Sequence, residues 1–135
     1  MDTLSKDQLI AIRNAIYDVI KESNAKRNDL VARGNMKPYV SETISTEYEI
    51  PLHNIARDFN SAFFTEVITD IQEPGNRIVK ATNNVNAAIK QLQDVSKLID
   101  ILTVLTNMAK TILMAVVTKN PLQLADLLSQ IETIV

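Results

Sequence analysis

The sequence predicts an all-α protein: an elongated antiparallel helical bundle of three long helices plus a short C-terminal helix. Three observations carry the prediction. The stretch Arg77 to Lys119 contains neither Gly nor Pro, the residues that most readily interrupt a helix. Its apolar residues recur on a seven-residue cycle. Ile78, Val85, Leu92, Ile99 and Leu113 occupy one register, broken only by Thr106, and Ala81, Ala88, Val95, Leu102, Ala109 and Val116 occupy another three residues on. The whole chain holds two Gly, three Phe, three Tyr and no Trp, a composition that suits helices better than sheets. Read as one helix, Arg77 to Lys119 makes a rod roughly 60 Å long, along which other helices must align.

The first helix is announced by Ser5 and Gln8, spaced as a capping box, with Leu4 and Leu9 placed as a hydrophobic staple. Leu9, Ile12, Ile16, Val19 and Ile20 form its apolar stripe, flanked by Tyr17. The stripe lapses through residues 22–29, a segment expected to stand in solvent or to loosen. It resumes at Leu30 and Val31, and Gly34-Asn35 reads as a C-terminal cap. Residues 35–53 read as a linker with a short helix at its centre. Val40, Ile44 and Tyr48 share a helical face, and a strand there has no partner strand to pair with. A second helix is predicted from Pro51 to Gln72, with Leu52, Ile55, Phe59, Ala62, Phe63, Val67 and Ile71 inward. Glu73-Pro74-Gly75-Asn76 then reads as a tight reversal into the rod. Asn120, Pro121 and Gln123 start the last helix, whose inward face is Leu124, Leu127, Leu128, Ile131 and Val135.

The C-terminal half of the rod is the candidate functional surface. Beside the heptad seam runs a second apolar stripe of Leu98, Ile101, Leu105, Met108, Ile112 and Ala115, widened by Val104, Met114 and Val117. Asp100, Thr103, Asn107, Lys110 and Thr111 make a narrow polar strip. A helix apolar over most of its circumference is central in a bundle, shared with another chain, or in contact with lipid. These six stripe residues are the expected interaction site, and self-association into a homo-oligomer through them is the expected behaviour.

Residues 1–135 are expected to form one domain. The net charge of -2 argues against a dedicated nucleic-acid surface. Charge is nonetheless uneven: residues 38–73 carry one Lys or Arg against seven Asp or Glu, between two mildly basic flanks. The basic group Lys21, Lys26, Arg27, Arg33 and Lys37 is interleaved with Glu22 and Asp29 and reads as a solvated helix face. The chain has no Cys, so it offers no disulfide, thiolate nucleophile or thiolate metal site. His53 is the sole histidine, and it reads as a solvated residue at a helix start rather than a ligand to metal with Glu49, Asp58, Glu66 or Asp70. Glu66, Asp70 and Glu73 read as the polar face of the second helix rather than as acid–base carboxylates. No nucleophile motif, phosphate loop or dinucleotide fingerprint is present. The expectation is a non-enzymatic protein with no cofactor, no small-molecule substrate and no nucleic-acid partner. It is expected to act as an adaptor, regulatory or structural element by protein–protein interaction. The N-terminus lacks a charged-then-apolar secretory pattern, and cytoplasmic residence is expected. The alternative is a membrane-active, pore-forming-like protein using residues 98–117, whose length suits a span but whose Asp100, Asn107 and Lys110 are costly in lipid.

Overall fold

A computed structural model describes residues 3–59, 67–68, 74–118 and 125–134, with side chains for 4–59, 75–114 and 125–133. The chain is all-α. Its helices are α1 (Lys6–Ala32), α2 (Pro38–Ile44), α3 (Ile50–Asp58), α4 (Pro74–Lys90), α5 (Val95–Thr118) and α6 (Ala125–Ile134), with a π-helical turn, Ser45–Glu49, joining α2 to α3. Two two-residue strands, β1 (Thr3–Leu4) and β2 (Val67–Ile68), pair antiparallel, Thr3 opposite Ile68 and Leu4 opposite Val67.

Helix α1 begins as the sequence indicates. The Ser5 hydroxyl accepts from the Gln8 amide at 3.4 Å, and the Gln8 side chain accepts from the Ser5 amide at 2.8 Å. Leu4 and Leu9 are both buried. The C-terminus closes with Gly34 at φ +77°, where the Asn35 amide donates to the Leu30 carbonyl at 2.8 Å and the Gly34 amide to Val31 at 3.0 Å. That double bond after a left-handed residue satisfies two carbonyls the helix would otherwise orphan. Between these caps α1 is unbroken, so residues 22–29 neither loosen nor stand wholly in water. The buried positions Leu9, Ile12, Ile16, Val19, Ser23, Lys26 and Leu30 follow alternating steps of three and four. The stripe continues through the middle of α1 with polar residues in place of apolar ones.

The expected linker, residues 35–53, holds more helix than the short central one expected: the chain is helical from Pro38 onward and runs on through the start of the predicted second helix to Asp58. Ile44, Leu52, Ala56 and Phe59 are buried and Val40, Tyr48 and Ile55 half-buried. The irregularity is one wide turn, in which the Ile50 amide donates to the Ser45 carbonyl five residues back. Pro51 supplies the physical reason. Its ring would strike the carbonyl one α-turn earlier and it has no N–H to offer. Widening the preceding turn keeps the helix running past it. The predicted second helix stops at Asp58, with Phe59 as its cap, instead of reaching Gln72. Val67–Ile68 are extended against Thr3–Leu4, and Ala62, Phe63 and Ile71 lie outside the described residues.

The expected continuous rod is two helices. Helix α4 ends at Lys90 and α5 begins at Val95. Two contacts account for the break. The Lys26 ammonium donates to the Lys90 carbonyl at 2.9 Å, satisfying a C-terminal group with a positive charge at the favourable end of the dipole. The Asp94 carboxylate accepts from the Ser96 amide at 2.9 Å, the bond of an N-capping aspartate. Pro74 and Gly75 lie in the first turn of α4 instead of forming a reversal. Gly75 is buried against the side chain of Gln8, and a Cβ there would stand 2.5 Å from the Gln8 Cγ, so the glycine makes room for the capping box of α1.

The break resets the phase of the core. In α4 the buried residues are Ile78, Ala81, Thr82, Val85 and Ile89, drifting off the strict heptad at Ala88 as a straight helix does. In α5 they are Leu98, Ile101, Leu102, Leu105, Met108, Ala109 and Ile112, whereas Ile99 and Leu113 are only half-buried. Helix α4 packs chiefly on α1, and α5 packs on α3, α6 and the π-helical turn. Leu128 and Ile131 of α6 are buried, while Leu124 and Val135 lie outside the described residues. The buried apolar residues form one cluster running through α1, α3, α4, α5 and α6.

Candidate functional site

The expected interaction stripe faces inward. Leu98, Ile101, Leu105, Met108 and Ile112 are all buried within the chain itself, and the side chain of Ala115 lies outside the described residues. The reason is the phase shift at residues 91–94. A stripe that looks surplus beside an unbroken seam becomes the main packing face of a separate α5. Val104 is half-buried, Met114 is 59% exposed, and Asp100, Thr103, Asn107 and Lys110 are exposed as read, with Thr111 half-buried. No helix among the described residues is long and apolar enough to cross a membrane.

The polar residues that interrupt the stripe of α1 build a second feature. Arg27 and Glu49 are buried, at 7% and 4% exposure. The Arg27 Nε donates to Glu49 Oε2 at 2.6 Å and its Nη2 to Oε1 at 2.8 Å, a two-pronged charged pair between α1 and the π-helical turn. Nη2 also donates to the Asn24 side-chain oxygen at 2.6 Å, and Nη1 donates to the Ser41 hydroxyl and carbonyl at 2.8 and 3.2 Å. The fully buried Ser23 hydroxyl donates to Glu49 Oε2 at 2.6 Å. Five contacts thus engage every nitrogen of the guanidinium, which leaves it no idle donor for a ligand. A buried ion pair so completely bonded acts first as a clasp that fixes how α2, the wide turn and α3 sit on α1.

Above this clasp lies a cleft of about 450 Å³ lined by Tyr17, Ile20, Lys21, Asn24, Arg27, Ser45, Glu49, Ile50 and His53. The wide turn shapes it, since Ser45, Glu49 and Ile50 all come from the turn or the residue following it. Ile50 is 50% exposed on its rim. The His53 and Tyr17 rings stack at 5.0 Å with planes 27° apart, and the Arg13 guanidinium stands 5.8 Å from the Tyr17 ring. His53 is exposed, as expected, but it sits within α3 and is held by an aromatic neighbour.

The other sequence candidates are scattered. Of the basic group, Lys26 and Arg27 are buried, Arg33 pairs with Asp29 at 3.0 Å, Lys37 approaches the Tyr39 ring at 6.0 Å, and Lys21 lines the cleft as an exposed cation above the buried Arg27. The reading of all five as a solvated face is thereby corrected for Lys26 and Arg27, whose polar ends are satisfied inside the fold. Glu49 is engaged by Arg27, Asp58 is exposed, and Glu66, Asp70 and Glu73 lie outside the described residues. Among the described residues no three His, Asp or Glu side chains are grouped to hold a metal ion. Sequence reasoning missed the clasp because buried charge is rare. The available signal was the three-and-four spacing of Ser23, Lys26 and Leu30 in phase with the apolar stripe. Comparison with known proteins yields no match to a family model, to a curated protein or to a solved structure.

Proposed function

We propose that this chain is a non-enzymatic helical-bundle protein, with α1, α4 and α5 its long members and α6 its short one. It acts by protein–protein interaction, and the contact surface is the cleft between α1 and the wide turn. One observation carries the reading: a buried, fully bonded ion pair holds an irregular helical turn in place beneath an open cleft. The rim of that cleft presents Ile50, His53 and Tyr17 to solvent. Irregular turns of this kind gather at functional sites, and partly exposed aromatic and aliphatic groups over a rigid floor are what partner proteins grip. The groups with the greatest chemical potential, Arg27, Glu49 and Ser23, are spent on one another, which favours recognition over catalysis.

The partner is a segment of another protein or of a second copy. Self-association through Leu105 and its neighbours would require a buried helix face to open, so the cleft is the more accessible route. The membrane-active alternative has less support, because the stripe that motivated it packs inside the chain. A photo-crosslinking residue placed at Ile50 tests the proposal against the same residue placed at exposed Gln130. Crosslinks concentrated at position 50, to one recurring partner in cells or to a second copy in purified protein, are the expected result. Equal yields at both positions would overturn it.

A further inference from the structure

The chemistry of the cleft specifies what kind of group it takes. Arg27 and Glu49 cancel in charge. Asp18 and Glu22 of α1 are absent from the lining, so Lys21 is the one lining residue with an uncompensated full charge. It has no hydrogen-bond or ion-pair partner among the described residues. The Asn24 side chain is exposed, and its oxygen is committed to Arg27 at 2.6 Å. That bond orients the amide, so its NH2 is left as the donor. A positive charge and an oriented amide donor stand one helical turn apart on α1, at Lys21 and Asn24. Ile20 and the half-exposed Ile50 add aliphatic surface to the lining, and the stacked Tyr17 and His53 rings add aromatic surface.

We propose that the cleft binds an aliphatic carboxylate, and specifically the carboxyl-terminal residue of a protein chain. The carboxylate meets the Lys21 ammonium and the Asn24 NH2, and the terminal side chain lies against Ile20 and Ile50. A carboxylate accepts from both donors at once, and charge-assisted bonds are the stronger kind. A volume near 450 Å³ accommodates one or two terminal residues and not a folded surface. The assignment rests on the reading of this cleft as a partner-binding surface.

The test is a titration of the full chain, followed by amide resonances, with acetyl-Ala-Ala-Ala-Leu bearing a free carboxylate and with the same peptide ending in a carboxamide. The expected result is saturable shifts of the Asn24 side-chain NH2 and of Ile50, with at least about tenfold weaker binding of the carboxamide. Lys21→Gln should weaken the free-acid peptide to a similar degree, while Lys80→Gln, on the α1–α4 groove, should leave it unchanged. Equal binding of acid and carboxamide would overturn the carboxylate assignment while leaving the interaction reading to its own crosslinking test. Shifts centred away from Asn24 and Ile50, or none that saturate, would overturn it as well. Isovalerate binding more tightly than the peptide would overturn the assignment to a chain end, in favour of a free small acid.

Discussion

Arg27 and Glu49 show how a single side chain can be costly and specifying at once. Each leaves water on folding, and each recovers through charge-assisted bonds to the other and to Ser23, Asn24 and Ser41. Removing one partner strands the other, so Glu49→Ala should cost about 3–5 kcal/mol in urea unfolding. Replacing the set with apolar residues removes the charges together. The triple variant Ser23→Ala, Arg27→Met, Glu49→Leu should therefore lie much closer to the parent than Glu49→Ala does. A triple variant as unstable as the single would show that the geometry, not the stranded charge, is what the clasp provides. The caps of α1 were legible because Ser5, Gln8 and Gly34 act through the backbone beside them, which sequence spacing reports directly. Glu49 was not legible, because its partner Arg27 is 22 residues away and meets it only after two helices have packed.

At the scale of an element, the wide turn Ser45–Glu49 and the break at residues 91–94 are opposite answers to local chemistry. The first carries a helix past a residue that should end it, and the second ends a helix that has neither Gly nor Pro. If Pro51 causes the wide turn, removing one residue from it should force the proline ring into a regular helix interior. Deletion of the exposed Glu47 should then cost about 3 kcal/mol. Adding Pro51→Ala to that deletion should recover most of the loss, as measured by thermal unfolding. Failure of the proline replacement to rescue would discard this account of the turn. The break was hidden for a related reason. Heptad counting registers apolar residues and is blind to an Asp94 cap or to a lysine arriving from α1. Once it is missed, one of the two registers slips: Leu102 and Ala109 remain core as read, but Ile99 and Leu113 stand for positions that Leu98, Leu105 and Ile112 occupy.

For the molecule as a whole, the consequence is that the apolar abundance of α5 is internal. Leu105→Glu would put a charge into a packed site and should destabilise the fold by more than about 3 kcal/mol. Asn107→Glu, on the exposed strip, should stay within about 0.5 kcal/mol of the parent. Circular dichroism and sedimentation on the same samples check this. A folded Leu105→Glu chain with unchanged helicity would mean that the α5 face is more accessible than its packing indicates. The all-α class was readable because it depends on period and composition, which are local. The pairing of α1 with α4, and of α5 with α3 and α6, depends on where the helices stop.

Lys26 ties the C-terminal third of α1 to the last carbonyl of α4 from a position that is 9% exposed. Its ammonium is thereby withheld from reagents that consume amines. In a timed acylation of the native chain, Lys26 should be modified far more slowly than exposed Lys21 or Lys80, and should catch up with them once α1 and α4 separate. The lysine that divides the long apolar stretch in two is thus a built-in clock for the opening of that helix pair.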